Sequence, residues 1–153
     1  MRRIKTGVPG LDKLLFGGFL EERNILLSGP CGSGKTTIGM QFVLNGALEY
    51  NEPGIFLTLE QDREKIKQDM KNLGFDVEKA QKNDKLILLG GKVAFIQSNM
   101  SKAGADTSHL IEELETIIKE KKVKRLVVDS LNLFTMFSKD NNERRRIIAK
   151  LSQ

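Results

Sequence analysis

Eight consecutive residues, 29–36, have the types and the spacing of a phosphate-binding loop. They read Gly-Pro-Cys-Gly-Ser-Gly-Lys-Thr and fit the pattern G-x-x-x-x-G-K-[ST] at every fixed position. Glycines let such a loop wrap closely enough for backbone N–H groups to point at phosphate oxygens. Lys35 can then reach the β- and γ-phosphates, and the Thr36 hydroxyl can ligate Mg²⁺. The alternative is a glycine-rich turn that binds nothing. The predicted nucleotide-binding residues are Gly29, Pro30, Cys31, Gly32, Ser33, Gly34, Lys35, Thr36 and Thr37.

Two acidic residues follow apolar runs that have the composition of strands. Asp129 follows the run at 126–128, and parallel sheets place their ligands at the carboxyl ends of strands. Any buried strand can end in Asp, but beside a phosphate loop the pattern predicts the Walker B acid, which would share Mg²⁺ with Thr36. Glu60 follows the run at 55–59 and is the candidate base for an attacking water. It could equally favour the N-terminus of the next helix.

A phosphate loop requires a strand before it and a helix after it, and the sequence predicts both. The run at 24–28 is too short for a helix and indicates a buried strand. A helix over 34–50 is predicted from one apolar stripe, formed by Met40, Val43, Leu44, Ala47 and Leu48. Three more strands are predicted, at 55–59, at 85–97 (interrupted at 90–91) and at 126–128. A short helix is predicted after the turn at 6–10, and further helices are predicted to begin at Asp62, at Thr107 and at Glu143. Strands that alternate with helices predict an α/β fold with a mainly parallel sheet and flanking helices, in one domain over residues 1–153.

The composition excludes several classes of protein. The chain has 153 residues, 39% of them hydrophobic and 29% charged, which is typical of a globular domain. One cysteine cannot form the disulfides of a small secreted scaffold. The single histidine, His109, has no His or Cys at ligand spacing, which argues against a metal site of that kind. The longest apolar runs fall far short of the roughly 20 residues that a membrane-spanning helix needs, so we expect a cytoplasmic protein without a membrane partner. The net charge of +5 suits a polyanion, and nucleotides are polyanions.

With these residues in place, the chain resembles the KaiC-like branch of the RecA superfamily of ATPases. The resemblance begins at residues 6–15 with Gly17 and Gly18, and continues through the loop at 29–37, the strand that ends at Glu60 and the segment at 125–131. It implies a RecA-like P-loop core, ATP and Mg²⁺ as ligands, and Glu60 and Lys35 as catalytic residues. It also implies a ring-shaped homo-oligomer, a hexamer, with nucleotide between the subunits.

The chain departs from that family in three places. Family members often have two consecutive glutamates where this chain has Glu60 and Gln61, and Cys31 stands where proline is common. The family domain also continues beyond the Walker B helix, with a basic finger and a strand that lies between the P-loop strand and the Walker B strand. The resemblance therefore implies a core that is incomplete at its carboxyl-terminal side.

Three functions follow as hypotheses. The first is an ATPase that binds ATP·Mg²⁺ and hydrolyses the γ-phosphate. The second is a regulatory module that binds ATP or ADP and hydrolyses slowly or not at all, because Gln61 replaces a carboxylate and the family's basic finger is absent from these 153 residues. The third is a DNA-stimulated, recombinase-like assembly. Basic runs at 119–125 and 144–146 are compatible with nucleic acid, but no aromatic residues are interleaved with them, so a solvated helix end is the favoured interpretation.

Overall fold

The computed structural model describes residues 2–91 and 108–131, together with the single positions 142 and 149. The helices are α1 (Leu11–Leu14), α2 (Lys35–Glu49), α3 (Arg63–Asn72), α4 (Val77–Lys82) and α5 (Ser108–Lys121). The strands are β1 (Arg3–Ile4), β2 (Phe19–Leu20), β3 (Gly54–Thr58), β4 (Leu86–Gly90) and β5 (Arg125–Asp129). The predicted α/β class is confirmed.

Three of the strands form a parallel sheet in the order β4-β3-β5. Gly54 lies opposite Leu86 on one side and opposite Arg125 on the other, and Thr58 lies opposite Gly90 and Asp129. The three strands are therefore in register and finish together at one edge. Any side chain that immediately follows β3 or β5 must emerge at that edge.

The middle strand, β3, divides the core into two layers. Its residue Phe56 packs with the buried faces of α2, α3 and α4, including Met40, Val43 and Met70. Its residues Ile55 and Leu57 face the other way and pack with the buried residues of α5. This alternation is the two-residue period of a strand, and burial on both faces explains why β3 is apolar throughout.

Most of the predicted elements form within a few residues of their predicted bounds. The stripe on α2 is buried except for Leu48, which is 36% exposed. Asp62, where a helix was predicted to begin, is the N-cap of α3, because its carboxylate accepts a hydrogen bond from the Glu64 N–H at 2.9 Å. The strand predicted over 85–97 is confirmed as far as Gly90, and its residues 92–97 lie outside the described part of the chain. Residues 143–148, 150 and 151 of the helix predicted over 143–151 also lie outside it.

The prediction of a buried strand at residues 24–28 is wrong for the described structure. Neither of the sheets described here includes these residues, and the side chains of Ile25, Leu26 and Leu27 are 51%, 77% and 45% exposed. A strand exists only where a neighbouring strand receives its backbone hydrogen bonds. No strand among the described residues pairs with this segment, so an apolar composition alone did not produce one.

Arg125, at the start of β5, is buried although it belongs to a basic run that we expected to be solvated. Its guanidinium forms an ion pair with Glu52 at 2.6 Å and donates to the Phe42 carbonyl at 2.8 Å. Its Cζ lies 4.5 Å from the centre of the Phe42 ring and 5.3 Å from that of Tyr50. This arrangement, here named the arginine clamp, fastens the start of β5 to the second half of α2 and the turn after it. The described lysines of the run, including Lys119 and Lys121 at the end of α5, are exposed as expected.

The turn at residues 6–10 is tied to the rest of the structure by polar contacts. The Asp12 carboxylate accepts from both the backbone N–H and the hydroxyl of the buried Thr6, each at 2.8 Å. The Asn45 side chain of α2 donates to the Gly7 carbonyl. Residues of the segment at 6–15, where the family resemblance begins, thus dock on α2, which carries the phosphate loop at its other end.

Among the residues that the structure describes, no helix combines the length and the apolar composition needed to cross a membrane.

Candidate functional site

The phosphate loop leads directly into the first turn of α2. Gly34 is the N-cap of that helix and has a φ of 86°, a left-handed conformation that residues with a Cβ rarely adopt. Residues 29–33 are exposed, including Cys31, and residues 34–37 are half-buried. The free N–H groups at the start of α2 and the positive end of its dipole therefore lie beside an open, glycine-rich loop, which is an environment that favours a phosphate group.

Lys35 lies across this loop. Its ammonium group donates to the carbonyl oxygens of Gly29 and Pro30, each at 2.8 Å. An ammonium group has three donors, and anionic phosphate oxygens are stronger acceptors than carbonyls. Lys35 is thus held at the mouth of the loop, where the residue type and position suit contact with a β- or γ-phosphate.

Thr36 and Asp129 meet although they are distant in sequence. The Thr36 hydroxyl donates to Oδ2 of Asp129 at 2.7 Å, and both residues are half-buried. The start of α2 is brought to the end of β5 because α2 packs along β3 and β5. A hydroxyl and a carboxylate side by side are hard oxygen ligands of the kind that Mg²⁺ selects. The two side chains therefore fit a Mg²⁺ ion that phosphate oxygens and water would complete.

The pair does not form a closed metal site without a nucleotide. Within residues 2–91 and 108–131, no group of three or more His, Cys, Asp or Glu side chains could hold a metal ion together. A Mg²⁺ ion usually keeps several waters and binds one or two protein carboxylates with substrate phosphates. The donor set agrees with that kind of site.

Glu60 emerges at the same edge of the sheet, two residues after the end of β3. Its side chain is exposed, and its Oε1 accepts a hydrogen bond from the hydroxyl of Ser130, the residue next to Asp129. The in-register pairing of Thr58 with Asp129 creates this proximity. The structure therefore places the candidate base beside the candidate metal-binding strand end.

Sequence reasoning missed Thr58 and Ser130 as contributors to this site. Thr58 is fully buried, and its hydroxyl contacts the backbone of Gln61. Both residues are adjacent or nearly adjacent to predicted site residues, but their contacts depend on the register between β3 and β5. Position next to a predicted strand end was the only signal in the sequence.

The family model for the KaiC ATPase matches residues 4–153. The chain belongs to the KaiC ATPase family. Membership supports an ATP-binding P-loop domain, and the predicted resemblance is confirmed over most of the chain.

Individual relatives agree with the family assignment. The chain is 34% identical over 137 residues to a UPF0273 protein of Methanocaldococcus jannaschii, covering 86% of this chain and 57% of that protein. It is 31% identical over 155 residues to the circadian clock oscillator protein KaiC of Synechococcus elongatus, covering 99% of this chain and 30% of KaiC. The crystal structure of a KaiC-like protein from Pyrococcus horikoshii OT3 matches with a TM-score of 0.81 and 33% identity, covering 98% of this chain and 63% of that one. The chain thus spans less than two thirds of the length of these relatives.

Proposed function

We propose that this KaiC-family chain is a Mg²⁺-dependent ATPase domain that hydrolyses ATP to ADP and phosphate. The observation that carries the proposal is the hydrogen bond between Thr36 and Asp129, because it joins the phosphate loop to the Walker B strand end. The position of Glu60 at the adjacent strand end adds a carboxylate for the water. A loop that bound nothing would not need these three groups at one edge of the sheet.

Each group has a defined role in the proposed reaction. Backbone N–H groups of residues 29–37, except Pro30, which has no N–H, bind the phosphate oxygens, and Lys35 neutralises charge on the β- and γ-phosphates. Thr36 and Asp129 would hold a Mg²⁺ ion, which would offset the negative charge of the phosphates. Glu60 accepts a proton from the attacking water as its oxygen bonds to the γ-phosphorus, and the bond from that phosphorus to the bridging oxygen of ADP breaks.

A pair of substitutions tests this function. Lys35→Ala removes the ammonium group, so we expect both nucleotide binding and turnover to be lost. Glu60→Gln keeps size and polarity but removes the base, so we expect nucleotide affinity within about twofold of the wild type and turnover reduced by about 10²-fold or more. Glu113→Gln, at an exposed position of α5, is the matched control and should change neither quantity.

Binding is measured separately, by thermal melts with and without ATP·Mg²⁺. A ligand at 100 times its Kd stabilises the native state by about 2.7 kcal/mol, and Lys35→Ala should abolish that gain. Normal binding with unchanged turnover in Glu60→Gln would contradict the assignment of the base. Binding by a wild-type protein that never hydrolyses ATP would instead favour the regulatory nucleotide-binding module.

We further propose that the protein works as a ring-shaped homo-oligomer, and membership of the KaiC ATPase family is the support for it. Light scattering with and without ATP·Mg²⁺ tests the assembly, and a monomer under both conditions would contradict it. Measuring turnover with and without single-stranded DNA tests the recombinase-like alternative, because equal rates would remove it.

A further inference from the structure

We propose that Thr58 and Ser130 are positioning residues for Glu60, one fixing its backbone and the other its carboxylate. The inference rests on the proposed function, because it assigns the groups that hold the base of that site. Neither residue needs to touch the nucleotide in order to act in this way. The two hydroxyl groups lie on neighbouring strand ends, at the end of β3 and just after β5.

Thr58 controls the turn that carries Glu60. Its hydroxyl donates to the Gln61 carbonyl at 3.0 Å and accepts from the Gln61 N–H at 3.1 Å. These two contacts close a turn across residues 58–61, and Glu60 lies inside it. Because the Thr58 side chain is fully buried, it keeps the turn anchored to the core.

The backbone around Thr58 is held on both sides of β3. The Leu59 N–H donates to the Asp129 carbonyl at 2.7 Å, and the Thr58 carbonyl accepts from the Gly91 N–H at 3.3 Å. Leu59 itself is buried in the layer beneath α5. Glu60 is therefore the first exposed side chain after a run in which every residue is fixed.

Ser130 acts on the carboxylate directly. Its hydroxyl donates to Oε1 of Glu60, and its own backbone follows Asp129 at the end of β5. This hydrogen bond engages one carboxylate oxygen and so orients the other, Oε2, for an attacking water. The end of β5 would thus position both the metal-binding carboxylate of Asp129 and, through Ser130, the carboxylate of Glu60.

Orientation matters here because the Glu60 side chain is exposed and would otherwise sample several rotamers. A general base must lie within hydrogen-bond reach of the water at the right angle, and small displacements lower the rate strongly. A simple structural role is the competing explanation for both hydroxyls. In that case their loss would lower stability and leave the chemical step unchanged.

The test uses Ser130→Ala, Thr58→Val and Thr58→Ser in the full-length protein, each alone and combined with Glu60→Gln. Ser130→Ala removes one hydrogen bond and Thr58→Val removes two. We expect each to lower kcat about tenfold or more, where tenfold corresponds to about 1.4 kcal/mol, with KM for ATP within about twofold. Thr58→Ser retains the hydroxyl and should restore kcat to within about threefold of the wild type. In the Glu60→Gln background the same substitutions should lower kcat by less than about twofold, because groups that act through one residue are not additive.

The outcomes separate the inference from the proposed function. If Glu60→Gln lowers kcat but Ser130→Ala and Thr58→Val do not, the function stands and the positioning role is overturned. The positioning role is also overturned if Ser130→Ala and Thr58→Val lower kcat by the same factor with and without the Glu60 carboxylate. A raised KM for ATP with unchanged kcat overturns it as well. No effect of Glu60→Gln overturns both. If Thr58→Val does not fold, Ser130→Ala decides the result, because Ser130 is only half-buried.

Discussion

Thr36 and Asp129 are 93 positions apart in the chain, yet their side-chain oxygens lie 2.7 Å apart. Thr36 is placed by the first turn of α2, and Asp129 by the last residue of β5. Neither side chain would bind Mg²⁺ firmly alone, because this ion needs several oxygens in octahedral positions. At the scale of single residues, the proposed chemistry therefore depends on a pair that only the folded chain brings together.

Asp129→Asn tests this pair. The amide keeps an oxygen but loses the negative charge, so we expect the Mg²⁺ concentration for half-maximal turnover to rise about tenfold or more. The measurement is an ATPase titration with Mg²⁺ at a fixed ATP concentration. Asp84→Asn is the matched control, because Asp84 pairs with Lys121 on the surface. An unchanged Mg²⁺ requirement in Asp129→Asn would remove Asp129 from the metal site.

Cys31 reports on the phosphate loop directly. It is exposed and is the only cysteine in the chain, so a maleimide reagent labels one known position. Phosphates bound by residues 29–36 should cover it. Because only about 1% of the protein is free of ligand at 100 times Kd, we expect ATP·Mg²⁺ to slow labelling about tenfold or more. In Lys35→Ala this protection should disappear. Equal labelling rates with and without nucleotide in the wild type would show that the loop does not enclose phosphate.

At the scale of elements, α2 and β5 are joined by two contacts of different kinds. The Thr36–Asp129 hydrogen bond joins the start of α2 to the end of β5, and the arginine clamp joins the second half of α2 to the start of β5. Gly46 makes the clamp possible, because a Cβ at this position would collide with the Arg125 side chain. The apolar pattern predicted α2 and β5 separately, but it contained no information about this fastening.

Gly46→Ala therefore sets two effects against each other. Alanine favours a helix interior by about 1 kcal/mol relative to glycine, whereas overpacking against Arg125 costs typically 1–3 kcal/mol. We expect net destabilisation of about 1 kcal/mol, measured as the free energy of unfolding in urea. In the Arg125→Ala background the collision is absent, so Gly46→Ala should become neutral or stabilising. Net stabilisation in the wild-type background would contradict the described packing.

At the scale of the whole molecule, β3 is hydrogen-bonded to a strand on each side, whereas the apolar segment at 24–28 belongs to neither described sheet. The helices α2, α3 and α5 and the strands β3 and β5 could be predicted because each has a long or fully apolar pattern. The helix α4 was missed, since it is only six residues long and buries only Val77 and Ala80. The prediction of a strand at residues 24–28 was wrong because apolar composition gives only a preference for extended backbone. A strand forms only where a neighbouring strand pairs with it. The contact between Glu60 and Ser130 could not be predicted without the register of β3 and β5.

Hydrogen exchange of the 153-residue chain distinguishes these segments. We expect the amides of Ile25, Leu26 and Leu27 to exchange rapidly, because no strand of the described part receives their hydrogen bonds. The amides of Ile55 and Leu57 should be strongly protected by the neighbouring strands. Mass spectrometry of peptides that cover both segments gives the comparison within one sample. Equal protection would show that the first segment is paired in solution.

The arginine clamp also has a consequence for natural variation among homologues. In a homologue with alanine at position 46, the Cβ would occupy the space of the Arg125 side chain. In a homologue without Arg125, the half-buried Glu52 carboxylate would lack its cation. Each of these single changes lowers stability. Replacing Glu52 and Arg125 by uncharged residues together with Gly46→Ala avoids both the collision and the unpaired buried charge. Position 125 is far from positions 46 and 52 in the chain, yet all three should change together across evolution. An alignment would show this co-variation even though none of them contacts the proposed nucleotide site.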